Sequence, residues 1–269
     1  HGGLTEDQLL FIKHYLEHVQ RDELIVLMMH IPLLDDDGEN RIRPRDLQRL
    51  SQLLSNFPNT LSISGHSHLQ QHLYMDADEG WQGQAAHYHY NLGTASGSWW
   101  SGDLDNDGLP MATMQDGTPN GYAIVEFNGS NYQISYHAAR DTQKLRIYGP
   151  GPVIRGSYPL ADIYVNAFNA EPNDLVEYRV DNGAWISMQR VQEKDPYVLA
   201  QNLRRMNQTL PPNNERLSPA LPSSHLWKAR LSTDYVPGAH RLQVRTRDRY
   251  GRTFEAASNF NVVEIEPVH

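Results

Sequence analysis

The chain has 269 residues, of which 39% are hydrophobic, enough to form the core of one large or two ordinary domains. Its 32 acidic residues outnumber 23 lysines and arginines, giving a formal charge of -9 without a basic cluster, so nucleic acid is excluded as an expected partner. The chain has no cysteine and no apolar run of roughly 20 residues, which excludes disulfides, thiol nucleophiles and a membrane span within it.

The N-terminal segment alternates helical and strand patterns. Thr5 and Gln8 form a capping-box pattern, and apolar residues then recur at helical spacing, which predicts an amphipathic helix. Residues 24–29 form a continuous apolar run that predicts a strand buried on both faces. An acidic loop follows at 35–39, and residues 46–54 predict a second amphipathic helix.

Two strand ends carry histidines. The first predicted strand ends at His30, and a second strand at 60–64 ends at Gly65-His66-Ser67-His68. Strand, helix and strand in this order predict a right-handed βαβ unit, so His30, His66 and His68 are expected together at the carboxyl edge of a parallel sheet. Gly65 supplies the positive φ that a sharp turn can need. Three imidazoles there suit Zn, Mn or Fe. Ordinary hydrogen-bonded loop histidines, in a chain that has thirteen, are the alternative.

The pattern changes to short strands and turns from residue 88. A long Gly- and Asp-rich loop covers residues 93–121, and Asn128-Gly129 predicts a hairpin joining strands at 123–127 and 132–136. The stretch Gly149-Pro150-Gly151-Pro152 then punctuates the chain. We therefore predict two domains, residues 1–150 and residues 151–269.

The second domain shows strand patterns and turns, and no alternation of helices with strands. These features predict an immunoglobulin-like or fibronectin-like β-sandwich, interrupted by a polar insertion at about residues 192–222. Trp185, Trp227 and Tyr178 fall on predicted strands, where sandwich core is the usual explanation. The fold class of the whole chain is thus α+β. The predicted strands are 163–168, 176–180, 185–189, 225–231, 240–247 and 254–263.

The first region resembles the calcineurin-like metallophosphoesterase family. Met29-His30-Ile31-Pro32 is similar to the family's lone-His motif, and Gly65-His66-Ser67-His68 matches its last motif completely. The resemblance implies the C-terminal half of a metallophosphoesterase α/β sandwich with a dinuclear centre of two divalent ions (Mn, Fe or Zn). In it His30 and His66 would bind the second metal and His68 the first, as ligands without a catalytic acid or base role.

The other motifs of the family are absent. No Gly-Asp-x-x-Asp or Gly-Asn-His precedes His30, so the bridging Asp, the Asn ligand and the His that protonates the leaving group have no match. We therefore expect this chain to be one piece of a larger polypeptide, whose N-terminal half of the catalytic domain is a missing partner. The residues His1-Gly2-Gly3 show no signal peptide.

A narrower resemblance points to a bacterial subgroup. Residues 97–100, 107–110 and 116–122 look like bacterial calcineurin-like enzymes that carry an appended C-terminal β-domain and are typically exported. The resemblance implies a periplasmic or secreted protein, and it makes Trp99, Trp100 and Asp116 candidates for shaping the substrate pocket. Plain packing under the loop is an equal alternative for the two Trp side chains.

Other polar patterns have simpler interpretations. Residues 103–108 have the carboxylate spacing of a calcium loop, but Met114 stands where an EF-hand needs a bidentate Glu, so a solvated acidic loop is favoured. His87 and His89 alternate on one predicted strand and share a face. Without a neighbouring carboxylate pattern they are interpreted as surface or hydrogen-bonded histidines, and His72 is interpreted in the same way.

Two functions remain open at this stage. The first is metal-dependent hydrolysis of a phosphate mono- or diester by the intact polypeptide, with this piece inactive by itself. The second is a non-catalytic module that binds a glycan or protein and keeps a vestigial metal site. The expected partner of the first function is a phosphate-ester substrate, whose specificity is set by loops.

Overall fold

The computed structural model describes residues 2–35, 42–207 and 218–264. The fold is α+β and mostly strand. The described part contains helices α1 (Glu6–Leu16), α2 (Pro44–Leu54) and α3 (Pro196–Met206). No described helix is long and apolar enough to cross a membrane. Residues 36–39 of the predicted acidic loop at 35–39 lie outside the described residues, as does part of the predicted insertion at 192–222.

The first sheet has four strands in the order β1-β2-β4-β3. Strands β1 and β4 both pair in parallel with β2, whereas β3 pairs antiparallel with β4. Because α2 lies between β1 and β2 in the chain, the predicted βαβ unit with parallel strands is confirmed. The strands are β1 (Ile25–Met28), β2 (Thr60–Ser64), β3 (Gln71–Met75) and β4 (His87–Asn91).

Helix α1 forms for local reasons that the sequence shows. Thr5 is its N-cap, and the reciprocal capping box with Gln8 is present. Helix α2 begins at Pro44, two residues before the predicted start, because proline suits the first helical turn, where its missing N–H is not needed. Leu47, Leu50 and other inward apolar residues of α2 pack on one face of the first sheet.

Strand β1 corrects one prediction. It lies at the edge of the sheet, and its last residue, Met28, is 80% exposed, so the strand is not buried on both faces. A continuous apolar run does not distinguish a central strand of a sheet from an edge strand, whose side chains can stay exposed. A long antiparallel hairpin covers the other face of the sheet, where Ile134 packs with Leu61 and Tyr90. Its strands are β5 (Gly121–Asn128) and β6 (Asn131–Ala138).

The C-terminal region consists of two sheets that enclose one apolar core. One has the order β11-β10-β14-β15-β8 and the other the order β12-β13-β9-β7. Trp227 and Tyr178 lie in the shared core, whereas Trp185 lies between Arg179 and Arg245. The strands are β7 (Leu145–Tyr148), β8 (Val153–Ile154), β9 (Ala161–Ala167), β10 (Leu175–Val180), β11 (Ile186–Ser187), β12 (Gln189–Val191), β13 (Leu226–Leu231), β14 (Gly238–Arg247) and β15 (Thr253–Val263).

Two details of this region differ from the sequence pattern. The predicted strand at 185–189 is divided between β11 and β12, which belong to different sheets. Helix α3 lies in the segment interpreted as a polar insertion. It starts where the Asp195 carboxylate accepts hydrogen bonds from Tyr197 N and Val198 N, with Pro196 at the first helical position. That Asp-Pro start signal was present in the sequence and was missed.

Strand β7 bears on the proposed domain boundary. It precedes Gly149, yet it pairs along its length with β9, and Leu145 is fully buried in the shared core. The division at residue 150 stays a prediction, and this pairing favours a boundary before Leu145.

Fragments of the chain test this placement. A fragment of residues 143–269 is expected to be at least about 2 kcal/mol more stable than one of residues 151–269, because the shorter fragment loses Leu145 from the core and leaves β9 unpaired on one side. Urea unfolding followed by circular dichroism measures the difference. Equal stability of the two fragments would place β7 outside the folding unit.

Candidate functional site

The carboxyl ends of β1 and β2 bring two histidines into contact. Met29 N donates to Ile63 O over 3.0 Å, and Gly65 N donates to His30 O over 3.1 Å, so the parallel register continues into both loops. The His66 Nδ1 and His30 Nε2 atoms are 3.0 Å apart, with the two rings edge to face. The predicted approach of His30 and His66 is therefore present, and it follows from strand pairing rather than from proximity in the sequence.

The loop after β2 has an unusual backbone. His66 and His68 have φ values of 73° and 57°, in the left-handed region that costs a non-glycine residue free energy. Gly65 is not among the described residues with positive φ, which corrects the role expected for it. Trp99 and Trp100 are also left-handed, with φ of 70° and 49°. Such backbone strain is concentrated at functional sites in proteins, and here it marks two segments that lie side by side.

His68 meets the long loop of residues 93–121. Its ring centroid lies 4.8 Å from that of Trp99, and its Nδ1 atom is buried without a hydrogen-bond partner. Trp99 is 74% exposed and Trp100 is 45% exposed. Neither indole is a core packing residue, so the exposure favours the pocket alternative over plain packing for both. The aromatic surface next to His68 is open to a ligand.

The donor set fits a divalent ion in part. Two nitrogens bound to one ion at about 2.0–2.2 Å lie about 2.8–3.1 Å apart at a right angle, and the 3.0 Å between His30 and His66 falls in that range. The same distance is that of a hydrogen bond between the two rings, which is the alternative that the sequence left open. His68 Nδ1 has no hydrogen-bond partner, so this nitrogen could bind an ion without breaking a hydrogen bond. Within residues 2–35, 42–207 and 218–264, no group of three or more His, Asp or Glu side chains is arranged to hold a metal, so His68 does not join His30 and His66 in the three-histidine cluster that the sequence predicts.

Asp116 lies away from the open surface. Its side chain is 2% exposed, and its carboxylate accepts hydrogen bonds from Gln70 N at 2.7 Å and Thr118 N at 2.9 Å, with His225 Nε2 at 3.3 Å. Burial alone would raise the pKa of Asp116, but the hydrogen bond and charge of His225 and the two backbone N–H groups hold it below its usual value. These contacts favour a structural role for Asp116, and its role in the substrate pocket stays a prediction. The carboxylate is a structural anchor.

The same anchor joins the two halves of the chain. The Asn166 amide donates to Asp116 O over 2.9 Å and to the Asp195 carboxylate over 2.8 Å, and its oxygen lies 2.7 Å from His225 Nδ1. The network thus connects the long loop to β9, to the start of α3 and to the residue before β13. Only long-range contacts define it, so no local sequence signal could have found it.

Three further histidines of the first region, on β3 and β4, are buried and hydrogen-bonded. His87 and His89 are fully buried on β4, and His72 is buried on β3. Burial lowers the pKa of His87 to about 4 and, with the charge of His87, that of His89 to about 3, so both rings are neutral near pH 7. His72 Nδ1 lies 2.6 Å from the Tyr88 hydroxyl. The hydrogen-bonded alternative holds for all three.

The acidic loop at 103–108 uses its carboxylates in ion pairs. Asp103 contacts Arg204 and Arg205, at 2.9 and 3.5 Å, and Asp105 contacts Arg140 at 2.6 Å. Arginine thus occupies the carboxylates that a calcium ion would need. This favours the acidic loop that the sequence indicated over a calcium site, and the ion pairs with arginine are an addition to that prediction.

Comparisons with known proteins show the following similarities. A family model described as "C terminal of Calcineurin-like phosphoesterase" matches residues 89–254. No curated protein matches the chain. The crystal structure of the sulfane dehydrogenase SoxCD from Paracoccus pantotrophus is similar over 65% of this chain and 34% of that chain, with 14% identity and a TM-score of 0.23. The chain therefore spans about a third of that structure, and a TM-score this low does not indicate a shared fold or function.

Removal of the Asp116 carboxylate tests its structural role. Asp116→Ala is expected to lower the free energy of unfolding by about 3 kcal/mol, because it leaves two buried backbone N–H groups without their acceptor and removes the carboxylate next to the buried His225. Asp107→Ala, at an exposed position of the same loop, is the control and is expected to change it by less than about 0.5 kcal/mol. Unchanged stability of Asp116→Ala, with loss of phosphate-ester binding, would support the substrate role.

Proposed function

Because the chain belongs to the calcineurin-like phosphoesterases, whose C-terminal region it matches over residues 89–254, we propose that the intact polypeptide is a metal-dependent phosphoesterase that hydrolyses a phosphate mono- or diester. The observation that carries the proposal is the 3.0 Å approach of His30 Nε2 to His66 Nδ1 at the carboxyl edge of the parallel strands. Both histidines precede the matched range, so the family assignment and this geometry are independent supports.

In this proposal the histidines act as ligands. His30 and His66 present one nitrogen each to a common ion, and His68 presents its own nitrogen to a neighbouring ion, as the family resemblance implies. When bound, the divalent ions (Mn, Fe or Zn) supply positive charge that stabilises a phosphoryl group under attack and acidifies water. The chain's own residues hold the ligand nitrogens in place, and Trp99 and Trp100 line the surface where the ester would lie.

We further propose that another part of the polypeptide covers the β1 edge and supplies the bridging carboxylate. Among the described strands β1 has one neighbour in the sheet, and Met28 and Phe11 are exposed beside it. A cavity of about 530 Å³ lies between α1 and β1 and reaches His30. An unpaired strand edge next to exposed apolar side chains is a surface suited to further chain packing. The site would then be completed from the side of His30.

The C-terminal region is proposed to be the appended β-domain of this subgroup. Two sheets around one core, antiparallel except for the short pairing of β15 with β8, agree with an immunoglobulin-like or fibronectin-like sandwich. The periplasmic or secreted location remains a proposal that rests on the family resemblance.

A second function is favoured by one observation. Trp99 and Trp100 form an exposed aromatic pair, which also suits a non-catalytic module that binds a glycan or protein. Metal binding separates the two functions, because a vestigial site would not bind an ion through His30 and His66.

Metal titration of this chain is the direct test. His30→Ala and His66→Ala are each expected to weaken binding of Mn²⁺ or Zn²⁺ at least tenfold, because each removes one of two convergent ligands. His68→Ala should weaken metal binding less than either of these variants, because His68 is proposed to bind the neighbouring ion. The exposed His14→Ala on α1 is the control and should bind as the parent chain does. Calorimetry measures the affinity, and equal binding by all variants would exclude this site.

Activity gives a separate prediction. This chain with Mn²⁺ or Zn²⁺ is expected to hydrolyse an aryl phosphate little or not at all, because imidazoles without a bridging carboxylate do not hold two ions about 3.5–4 Å apart. In the intact polypeptide, His66→Ala is expected to lower the rate by at least about a hundredfold. Robust turnover by this chain that disappears in His66→Ala would show that the centre is complete without further residues.

A further inference from the structure

A continuous buried chain of hydrogen bonds runs between β2 and β4. Hydroxyl groups of β2 alternate with imidazoles of β4 along it. Thr60 Oγ1 lies 2.8 Å from His87 Nδ1, and Ser62 Oγ lies 2.7 Å from His87 Nε2. Ser62 Oγ also lies 2.5 Å from His89 Nδ1, and Ser64 Oγ lies 2.9 Å from His89 Nε2. Parallel pairing places these residues in neighbouring positions of the register. We call this chain the serine–histidine ladder.

Asn91 ends the ladder and fixes its direction. Its Nδ2 atom lies 3.3 Å from Leu69 O and 2.9 Å from Gln71 Oε1, and a backbone carbonyl oxygen can only accept. The amide nitrogen therefore faces these acceptors, and the amide oxygen faces Ser64. Since that oxygen only accepts, Ser64 donates its single proton to Asn91 Oδ1 over 3.0 Å.

The remaining donors follow one by one. Because Ser64 has given its proton to Asn91, His89 Nε2 carries a proton and donates to Ser64. Burial disfavours a second proton on this ring, so His89 Nδ1 accepts from Ser62. Ser62 then accepts from His87 Nε2, and His87 Nδ1 accepts from Thr60. Both imidazoles are thus neutral Nε2–H tautomers. The low pKa values that burial gives them, about 4 for His87 and about 3 for His89, agree with this assignment.

The other contact of Asn91 reaches the candidate site. Its Nδ2 atom also donates to Ser67 Oγ, the side chain between His66 and His68. The turn has two left-handed histidines, and a strained backbone persists only where surrounding contacts hold it. Asn91 is fully buried, so its amide is a fixed point to which the turn is attached.

We propose that Asn91 is a positioning residue of the Gly65-His66-Ser67-His68 turn, and that the Ser64 hydroxyl, the last donor of the serine–histidine ladder, holds the amide oxygen so that the amide nitrogen faces Ser67. The proposal rests on the proposed function, because the histidines that it positions are the proposed metal ligands. An aspartate at position 91 would accept from Ser64 but could not donate to Ser67, Leu69 or Gln71. Asn91 thus acts through the turn and not on a ligand.

The ladder is tested first in the unaltered chain. Nitrogen-15 NMR of the imidazoles is expected to show His87 and His89 as neutral Nε2–H tautomers from pH 5.5 to pH 8. A charged ring, or an Nδ1–H tautomer at either position, would overturn the derived direction. This measurement needs no metal and no activity.

The positioning role is tested with Asn91→Asp against a matched control. Asn91→Asp is expected to raise amide exchange at Gly65, whose N–H donates to His30 O, at least tenfold, and to weaken Mn²⁺ binding by about 10–100-fold. Thr60→Val removes the hydrogen bond at the other end of the ladder from Asn91. It should change the Gly65 amide exchange rate and the Mn²⁺ affinity less than twofold. Unchanged exchange and affinity in Asn91→Asp would refute the positioning role.

Two further variants keep the test decisive. If Asn91→Asp does not fold, Ser67→Ala removes only the contact between turn and amide, and it is expected to raise Gly65 exchange while Thr60→Val does not. If the unaltered chain binds no Mn²⁺, the proposed function fails, whereas the exchange comparison still supports or refutes the positioning role.

Discussion

The structure depends most on the parallel pairing of β1, β2 and β4. Parallel strands end at a common edge, so the loops after β1 and β2 leave the sheet side by side. This geometry brings His30 next to His66, which lie 36 residues apart in the chain. The same register aligns Ser62 and Ser64 with the imidazoles of β4. One constraint therefore creates both the candidate site and the polar layer behind it.

Burial of polar groups is the second theme, and here hydrogen bonds offset its cost. Asp116 replaces lost hydration with backbone N–H groups and His225, and this arrangement also joins the two halves of the chain. His87 and His89 avoid the cost of buried charge by staying neutral. In both places, loss of one hydrogen-bond partner would be costly, because the buried donor or acceptor left behind has lost its hydration without gaining a hydrogen bond in return.

The sequence predicts those features that depend on local pattern or on simple topology. The capping box at Thr5 is local, and the approach of His30 to His66 follows from strand order. The edge position of β1 could not be predicted, because an apolar run does not show how many strands pair with it. The burial of Asp116 depends on His225, 109 residues further along the chain, and no spacing rule relates them. His87 and His89 alternate as a half-buried strand would, and only the hydroxyl groups of β2 make full burial possible.

The central claim is that His30 and His66 bind one divalent ion. Anomalous diffraction from crystals of the intact polypeptide grown with Mn²⁺ measures this most directly. The account predicts an anomalous peak about 2.2 Å from both His30 Nε2 and His66 Nδ1, with Asn91 still in contact with Ser67. An ordered Mn²⁺ elsewhere, with the two imidazoles hydrogen-bonded to each other and no peak between them, would contradict it.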